Sequence, residues 1–559
     1  MRRPASLIIR NCLLAIGLAS ALPAAAKDTA PLPAPAPAAT APPKLIVALS
    51  IDQFSADLFA QYRARYTGGL ARLQQGAVFP SAYQSHAATE TCPGHSTLLT
   101  GVHPSRSGII ANTWYDLTLP RADKRVYCAE DETDPASTAR DPVVSARHLK
   151  VPTLGEYMKA VWPLSRNVAV SAKDRAVMMM GGHKIDEAYW YKSGQFVTFK
   201  GGTLAPAAVA ENTAMAALIA KGAKPFAPPA WCGPRDAAMI VGKAGELGKG
   251  RFALAPKDGD GFRVSPRMDA ATLDLALKLV GEMKLGQGQA PDILSVSLSA
   301  TDYIGHAVGT EGMEMCVQMA ELDRGLGSFF ASLDKAKIDY AVVLSADHGG
   351  LDLPERLDEQ ALPRAARVDA RLMPGALGAE LTAQLKLTID GPLVYGDGPF
   401  GDLYLSKKLS PEQRGLVLDA LISRLRAHPQ VAGAYAAGEL AATPLPTGNP
   451  QDWALRERAR ASFDPARSGD VVVLLDRAIV PIPGAAKGFT ATHGSAWDYD
   501  RRVPLLFWRK GMGGFEQPAP VETVDIAPTL AALLHLAVPA GSFDGRCLDL
   551  DGGAGNSCP

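Results

Sequence analysis

Two rhythms of apolar residues alternate along this chain. Short runs rich in aliphatic and β-branched residues recur, among them Leu45–Ile51, Asn167–Ser171, Asp292–Leu298, Tyr340–Leu344 and Val503–Trp508. Between them lie longer stretches with apolar positions three and four apart, at Tyr66–Gln75, Ala271–Met283, Gly312–Leu333 and Ile526–Leu536. The first kind reads as buried strands and the second as helices. Their alternation predicts an α/β fold of three layers, a mostly parallel central sheet with helices on both faces. Thr91–Thr100 begins with small residues and is followed by Gly101, the pattern of a helix closed by a left-handed glycine.

Two stretches break this rhythm. Within about 176–270, the segment AYWYKSGQFVTF sets two aromatic runs around a Ser-Gly pair and predicts a β-hairpin. Within about 355–485, DLYLS, PEQRGLVLDALISRLRAH and VAGAYA spell a small strand–helix–strand unit. Both are expected to be insertions that cap a site in a catalytic domain spanning 44–559.

The N-terminus adds an address. Arg2 and Arg3, the apolar Leu13–Leu18 and Ala24-Ala25-Ala26 read as a secretory signal over residues 1–26. Residues 27–43 are rich in Pro and Ala and form an extended spacer. The expected product is periplasmic or secreted, with no membrane attachment after cleavage. Export removes Cys12 and leaves six of seven cysteines. Cys547 and Cys558 are close enough to staple the tail. Cys128 and Cys232 are the next candidates for bridging, and Cys92 and Cys316 are expected as buried thiols. Charge is balanced, with 57 basic and 57 acidic residues, which argues against an obligate nucleic-acid partner.

Candidate chemistry sits where the strands end. Asp52 follows KLIVALSI, Thr91 lies in TETCPGHSTLLTG, Asp302 and His306 in SATDYIGHAVG, Asp347 and His348 in VVLSADHGG, and His493 in ATHGS. Open parallel sheets keep their binding groups at the carboxyl ends of the strands. Mixed imidazole and carboxylate donors suit Zn²⁺ better than Mg²⁺, which prefers oxygen alone. A threonine among them suggests a nucleophile, with Thr89 the neighbouring alternative. Lys173 and Arg175 in VAVSAKDRA share one side of an extended backbone and suit an anionic substrate, the arginine as a planar fork. KDGDG at 257–261 and DLDGG at 549–553 resemble calcium loops but lack full EF-hand spacing, so Asp-Gly turns explain them better.

The order Asp, Thr-x-Pro-Gly-His, Asp-x-x-x-His, Asp-His, His resembles the alkaline phosphatase superfamily, and within it the periplasmic threonine-type alkaline phosphatases. The likeness runs from Lys44 to about Leu536 and rests on five concordant segments. It implies an alkaline-phosphatase-like sandwich and a zinc-dependent hydrolase of phosphate monoesters with broad specificity, working as a monomer. It implies two Zn²⁺ per chain, one held by Asp302, His306 and His493, the other by Asp52, Asp347, His348 and Thr91. Thr91 is implied as the phosphorylated nucleophile, and Asn112, Lys173 and Arg175 as phosphate binders. His95 is expected beside the ligands rather than among them. A sulfatase would carry a modifiable Cys or Ser in place of Thr91 and an Arg in place of His95. The rival enzyme is a phosphodiesterase or nucleotide pyrophosphatase of the same superfamily, and the non-enzymatic rival is a phosphate-ester binding protein.

Overall fold

The computed structural model describes residues 41–559 apart from residue 361; the signal and most of the spacer lie outside the described residues. A ten-stranded sheet forms the centre. Its strands are β1 (Leu45–Ile51), β2 (Ala77–Tyr83), β3 (Asn167–Ser171), β4 (Glu187–Lys192), β5 (Gln195–Val197), β6 (Asp292–Leu298), β7 (Tyr340–Ser345), β8 (Arg502–Arg509), β9 (Phe515–Glu516) and β10 (Val521–Glu522). They lie in the order β9-β2-β8-β7-β1-β6-β3-β4-β5, with β10 also pairing to β2. β1 is buried along its whole length, as a central strand covered on both faces must be.

Register explains why the site forms. In the parallel block, Ser50 of β1 pairs with Ser297 of β6 and Ser345 of β7, and Ser297 pairs with Ser171 of β3. Four serines therefore form one row across four strands. Side chains along a strand repeat every second residue, so the next row on the same face begins with Asp52, Lys173, Ser299 and Asp347. An acid, a base and a second acid come level from three distant parts of the chain.

Three helices matter for the site: α1 (Thr91–Thr100), α2 (Asp174–Gly181) and α3 (Ala300–Val308). Every residue of α1 is buried, and Gly101 closes it at φ 68°, as the sequence pattern predicts. Gly94 is required by packing. A Cβ there would lie 1.9 Å from the Asp347 carbonyl oxygen and 2.6 Å from its carbon. Both obstacles are backbone, so Gly94→Ala must push α1 off the end of β7. We expect it to cost about 1–3 kcal/mol and to lower activity with it. Gly415→Ala, on the helix Pro411–Arg426 with nothing within 4 Å of the new Cβ, should be neutral or stabilising. Thermal melts of the two variants check the contrast.

The structure differs from the sequence reading in several places. β8 runs antiparallel to its neighbours β7 and β2. β2 itself carries Pro80 and was not expected as a strand; Pro80 and Pro504 sit together where the β2–β8 register shifts, at an irregularity that needs no ladder donor. The expected hairpin is β4–β5, turned by Ser193 and Gly194 at φ 50° and 91°. However, β4 pairs parallel to β3, so the chain beyond residue 176 first completes the sheet. Cys92 and Cys316 are not free thiols: they are bridged to Cys128 and Cys232, and Cys547 to Cys558. The second inserted stretch carries a four-stranded antiparallel sheet, Val394–Tyr395, Gly401–Leu405, Val471–Leu475 and Val431–Ala436 in that order. The helix Pro411–Arg426 buries Val417, Leu421 and Leu425 in a core of its own.

Candidate active site

Three histidines converge on the carboxyl ends of the strands, and the backbone fixes their tautomers. Nδ1 of His306 lies 2.9 Å from the Ala491 carbonyl, Nδ1 of His348 2.9 Å from that of Gly349, and Nδ1 of His493 2.8 Å from that of Thr89. Each imidazole can donate only through that nitrogen, which leaves the Nε2 lone pair as the donor atom facing inward. Nε2 of His306 and of His493 lie 3.2 and 3.4 Å from the same atom, Asp302 Oδ1. Nε2 of His348 lies 3.3 Å from Asp347 Oδ2 and 3.5 Å from Asp52 Oδ1. Acid and imidazole donors thus cluster without a proton to share.

Asp52 Oδ1, Asp302 Oδ1, Asp347 Oδ2 and His348 Nε2 are buried and lack a hydrogen-bond partner, while Asp52 Oδ2 meets Lys173 Nζ at 2.6 Å. So many orphaned acceptors in one place are costly unless cations fill the space. Among the described residues, Asp302, His348 and His493 form one set with all donor atoms within 4.8 Å, and Asp52, Asp347 and His348 form another. The donor chemistry fits two zinc ions. His348 belongs geometrically to both sets, while His306 joins the first through Asp302. Electrostatics agree with the need for a cation. Burial, then Asp302 and Asp347, drive the Asp52 carboxyl well above its ordinary pKa. Burial opposes charge on His493, but its contact with Asp302 prevails and raises its pKa.

Thr91 stands at the first turn of α1, where free N–H groups and the helix dipole favour an anion. Its Oγ1 lies 3.3 Å from an Arg175 guanidinium nitrogen and 3.5 Å from Lys173 Nζ. Lys173 is buried and reaches 2.5 Å from Asp302 Oδ2 and 2.6 Å from Asp52 Oδ2. Burial works against its charge, yet the two acids prevail and raise its pKa. Asn112 accepts from the Cys92 N–H at 2.8 Å through Oδ1, so its amide NH₂ is left to donate into the adjoining cavity, which it lines. Thr89 is engaged elsewhere: its hydroxyl donates to the Ser495 carbonyl at 2.7 Å.

Neighbours the sequence did not single out hold this set in place. The Tyr127 hydroxyl donates to Asp174 at 2.6 Å and lies 3.5 Å from an Arg175 nitrogen, steadying the guanidinium. The disulfide Cys92–Cys128 ties the first turn of α1 to the residue after Tyr127. The Tyr303 ring lies under Lys173 Nζ at 5.3 Å. His95 sits beside the ligands as expected, with Nδ1 3.1 Å from Asp347 Oδ2 and Nε2 2.9 Å from Ser297 Oγ. Only Asp174 and Tyr303 carried a signal, each by adjacency to a candidate residue. The two suspected calcium loops cap themselves: Asp258 accepts from Gly261 N, and Asp549 from Asp551 N and Ser557 N.

Comparison with known proteins gives a consistent result. The family model described as type I phosphodiesterase / nucleotide pyrophosphatase matches residues 46–496. Alkaline phosphatase PhoK of Sphingomonas sp is 53% identical over 523 residues, covering 93% of this chain and 93% of the relative. Alkaline phosphatase PhoD of Zymomonas mobilis subsp. mobilis is 47% identical, covering 92% and 89%. The solved structure of wild-type alkaline phosphatase PafA superposes with a TM-score of 0.78 at 27% identity, covering 91% of this chain and 99% of that one.

Proposed function

The chain belongs to the type I phosphodiesterase / nucleotide pyrophosphatase family, among its PafA/PhoK-type alkaline phosphatases, and from that premise we propose a zinc-dependent, double-displacement mechanism through Thr91. The activity is hydrolysis of phosphate monoesters. Asp302, His306 and His493 would hold one zinc, and Asp52, Asp347, His348 and the Thr91 hydroxyl the other. Bound zinc lowers the pKa of a coordinated oxygen and neutralises charge on a transferring phosphoryl group.

The chain's own residues do the rest. Thr91 Oγ attacks phosphorus and carries the phosphoryl group while the alcohol departs; water then releases phosphate and restores the hydroxyl. Arg175 and Lys173 converge on Thr91 Oγ1 and hold the non-bridging oxygens, with the Asn112 amide as a further donor. The observation that carries this reading is that paired cations flank the threonine hydroxyl. A dianionic monoester uses both of them, whereas a diester has one charge fewer. All candidate groups come from one chain, so the proposed site needs no residue from a second copy. Six cysteines joined in three bridges support an oxidising, extracytoplasmic location. No helix among the described residues is long and apolar enough to cross a membrane.

Chelation tests the metal requirement. EDTA should abolish monoester hydrolysis and added Zn²⁺ should restore it. Zinc competes with protons for the imidazole and carboxylate donors, so uptake should release protons and strengthen as pH rises. Activity indifferent to chelation, or zinc affinity that falls with rising pH, overturns the metal reading.

A further inference from the structure

The cavity beside the candidate site has a second half that phosphate chemistry does not explain. It measures about 290 Å³ and opens from Asn112, Arg175, His306 and His493 toward the inserted sheet. Two aromatic rings stand at this opening. The Phe489 ring lies 5.3 Å from that of His306, and Phe489 is 45% exposed. Its backbone is fixed all the same, because Phe489 and Ala486 exchange both N–H···O bonds. Phe489 thus holds a large apolar face open to solvent at the mouth of the site. Phe400, from the inserted stretch, lies over Gly494: a Cβ at Gly494 would meet its ring at 2.6 Å. Gly494 directly follows His493 and has φ 113°, so glycine both permits the backbone and admits the ring. Behind these rings, Tyr115 packs 5.8 Å from both Tyr395 and Tyr404.

The same cavity is acidic away from the phosphate end. Glu90, Asp397 and Asp402 line it, and among the described residues Arg175 is the one lysine or arginine in its lining. Arg125, whose charge acts on Asp397, is already paired with Asp123 at 3.0 Å. Burial, with Glu90 adding to it, pushes the Asp402 carboxyl up to about 7. An ester group carrying its own negative charge would meet these carboxylates with no free cation to answer it.

We propose that Phe400 and Phe489 form a leaving-group subsite that selects phosphate monoesters of flat, uncharged aromatic alcohols and disfavours those bearing a further anionic group. This deepens the monoesterase reading and rests on it. The inserted stretch thereby sets specificity, since Phe400, Asp397 and Asp402 all come from it. The position suits the ester alcohol because one ring adjoins His306 and the other lies over Gly494, next to His493.

Benzyl phosphate and ethyl phosphate test the idea, because both release a primary alcohol and differ mainly in the ring. The wild-type enzyme should favour benzyl phosphate in kcat/KM by about tenfold, the size expected of one good aromatic contact. Phe400→Ala and Phe489→Ala should each narrow that ratio, and the double variant should bring it near unity, chiefly by raising KM for the benzyl ester. A 4-carboxybenzyl ester should be a poorer substrate than benzyl phosphate, and Asp397→Asn should reduce the difference. Equal losses on benzyl and ethyl phosphate in the ring variants would overturn the subsite while leaving the monoesterase reading intact. A wild-type ratio near one would do the same. A zinc-loaded enzyme that hydrolyses neither ester would instead remove the reading on which the subsite rests.

Discussion

Thr91→Ala lowers kcat for phosphate monoesters on the order of 10³-fold or more, the scale seen when a covalent nucleophile is removed. Position accounts for the size of the effect. Thr91 is the first residue of α1, it is fully buried, and its hydroxyl is the atom on which Lys173 and Arg175 converge. Without Oγ there is no acceptor for the phosphoryl group, and the helix N-terminus and cations can only bind the ester. Thr91→Ser keeps the oxygen and should keep much of the activity. Zinc content should change little in the alanine variant, because the carboxylate and imidazole donors remain. Steady-state kinetics with metal analysis checks both statements. Acid-quenched wild-type enzyme should carry phosphate on Thr91, and phosphate found on Thr89 would overturn the assignment.

Removing the paired cations has the second largest effect. A monoester at alkaline pH carries two negative charges, and the transferring group spreads charge over three non-bridging oxygens. Each lost charge-assisted contact costs about 1.5–3 kcal/mol, or roughly one to two decades in rate. Arg175→Ala and Lys173→Ala should therefore cut monoester kcat/KM more than diester kcat/KM. The two variants differ in a second respect. The Arg175 guanidinium hydrogen-bonds Thr91 and Tyr127 and, among the described residues, makes no ion pair with Asp52, Asp302 or Asp347, so its loss should leave zinc binding nearly intact. Lys173 lies within 2.6 Å of Asp52 and Asp302, so its removal also alters the charge around the metal donors. Kinetics on both ester types, alongside zinc titration, separates the two contributions. Equal losses on monoester and diester would contradict the role given to the pair.

Much of this site was legible because its signals are local. An apolar run that stops at an acid marks a buried strand delivering a candidate ligand, as at Leu45–Asp52 and Tyr340–Asp347. Thr91–Thr100 carries its own beginning and end. The unread parts depend on contacts between distant residues. The hidden strand Ala77–Tyr83 has a proline that argues against a strand until Pro504 opposite it explains the irregularity. The reversed direction of β8 is set by which edge remained open, which no periodicity records. Cys92 looked like a buried thiol because its partner lies 36 residues away, beyond a helix and a hairpin too short to show a periodicity. Tyr127 gave no sign at all of steadying Arg175. The row of serines at 50, 171, 297 and 345 is visible in the sequence, but only the register shows that the four stand level.

The monoester-to-diester ratio of the zinc-loaded wild-type enzyme tests the central claim most directly. The two esters should share one aryl leaving group, so that only the charge and the second ester substituent differ. The account predicts a clear monoester preference in kcat/KM, reduced sharply by Arg175→Ala. A wild-type enzyme that prefers the diester would contradict it.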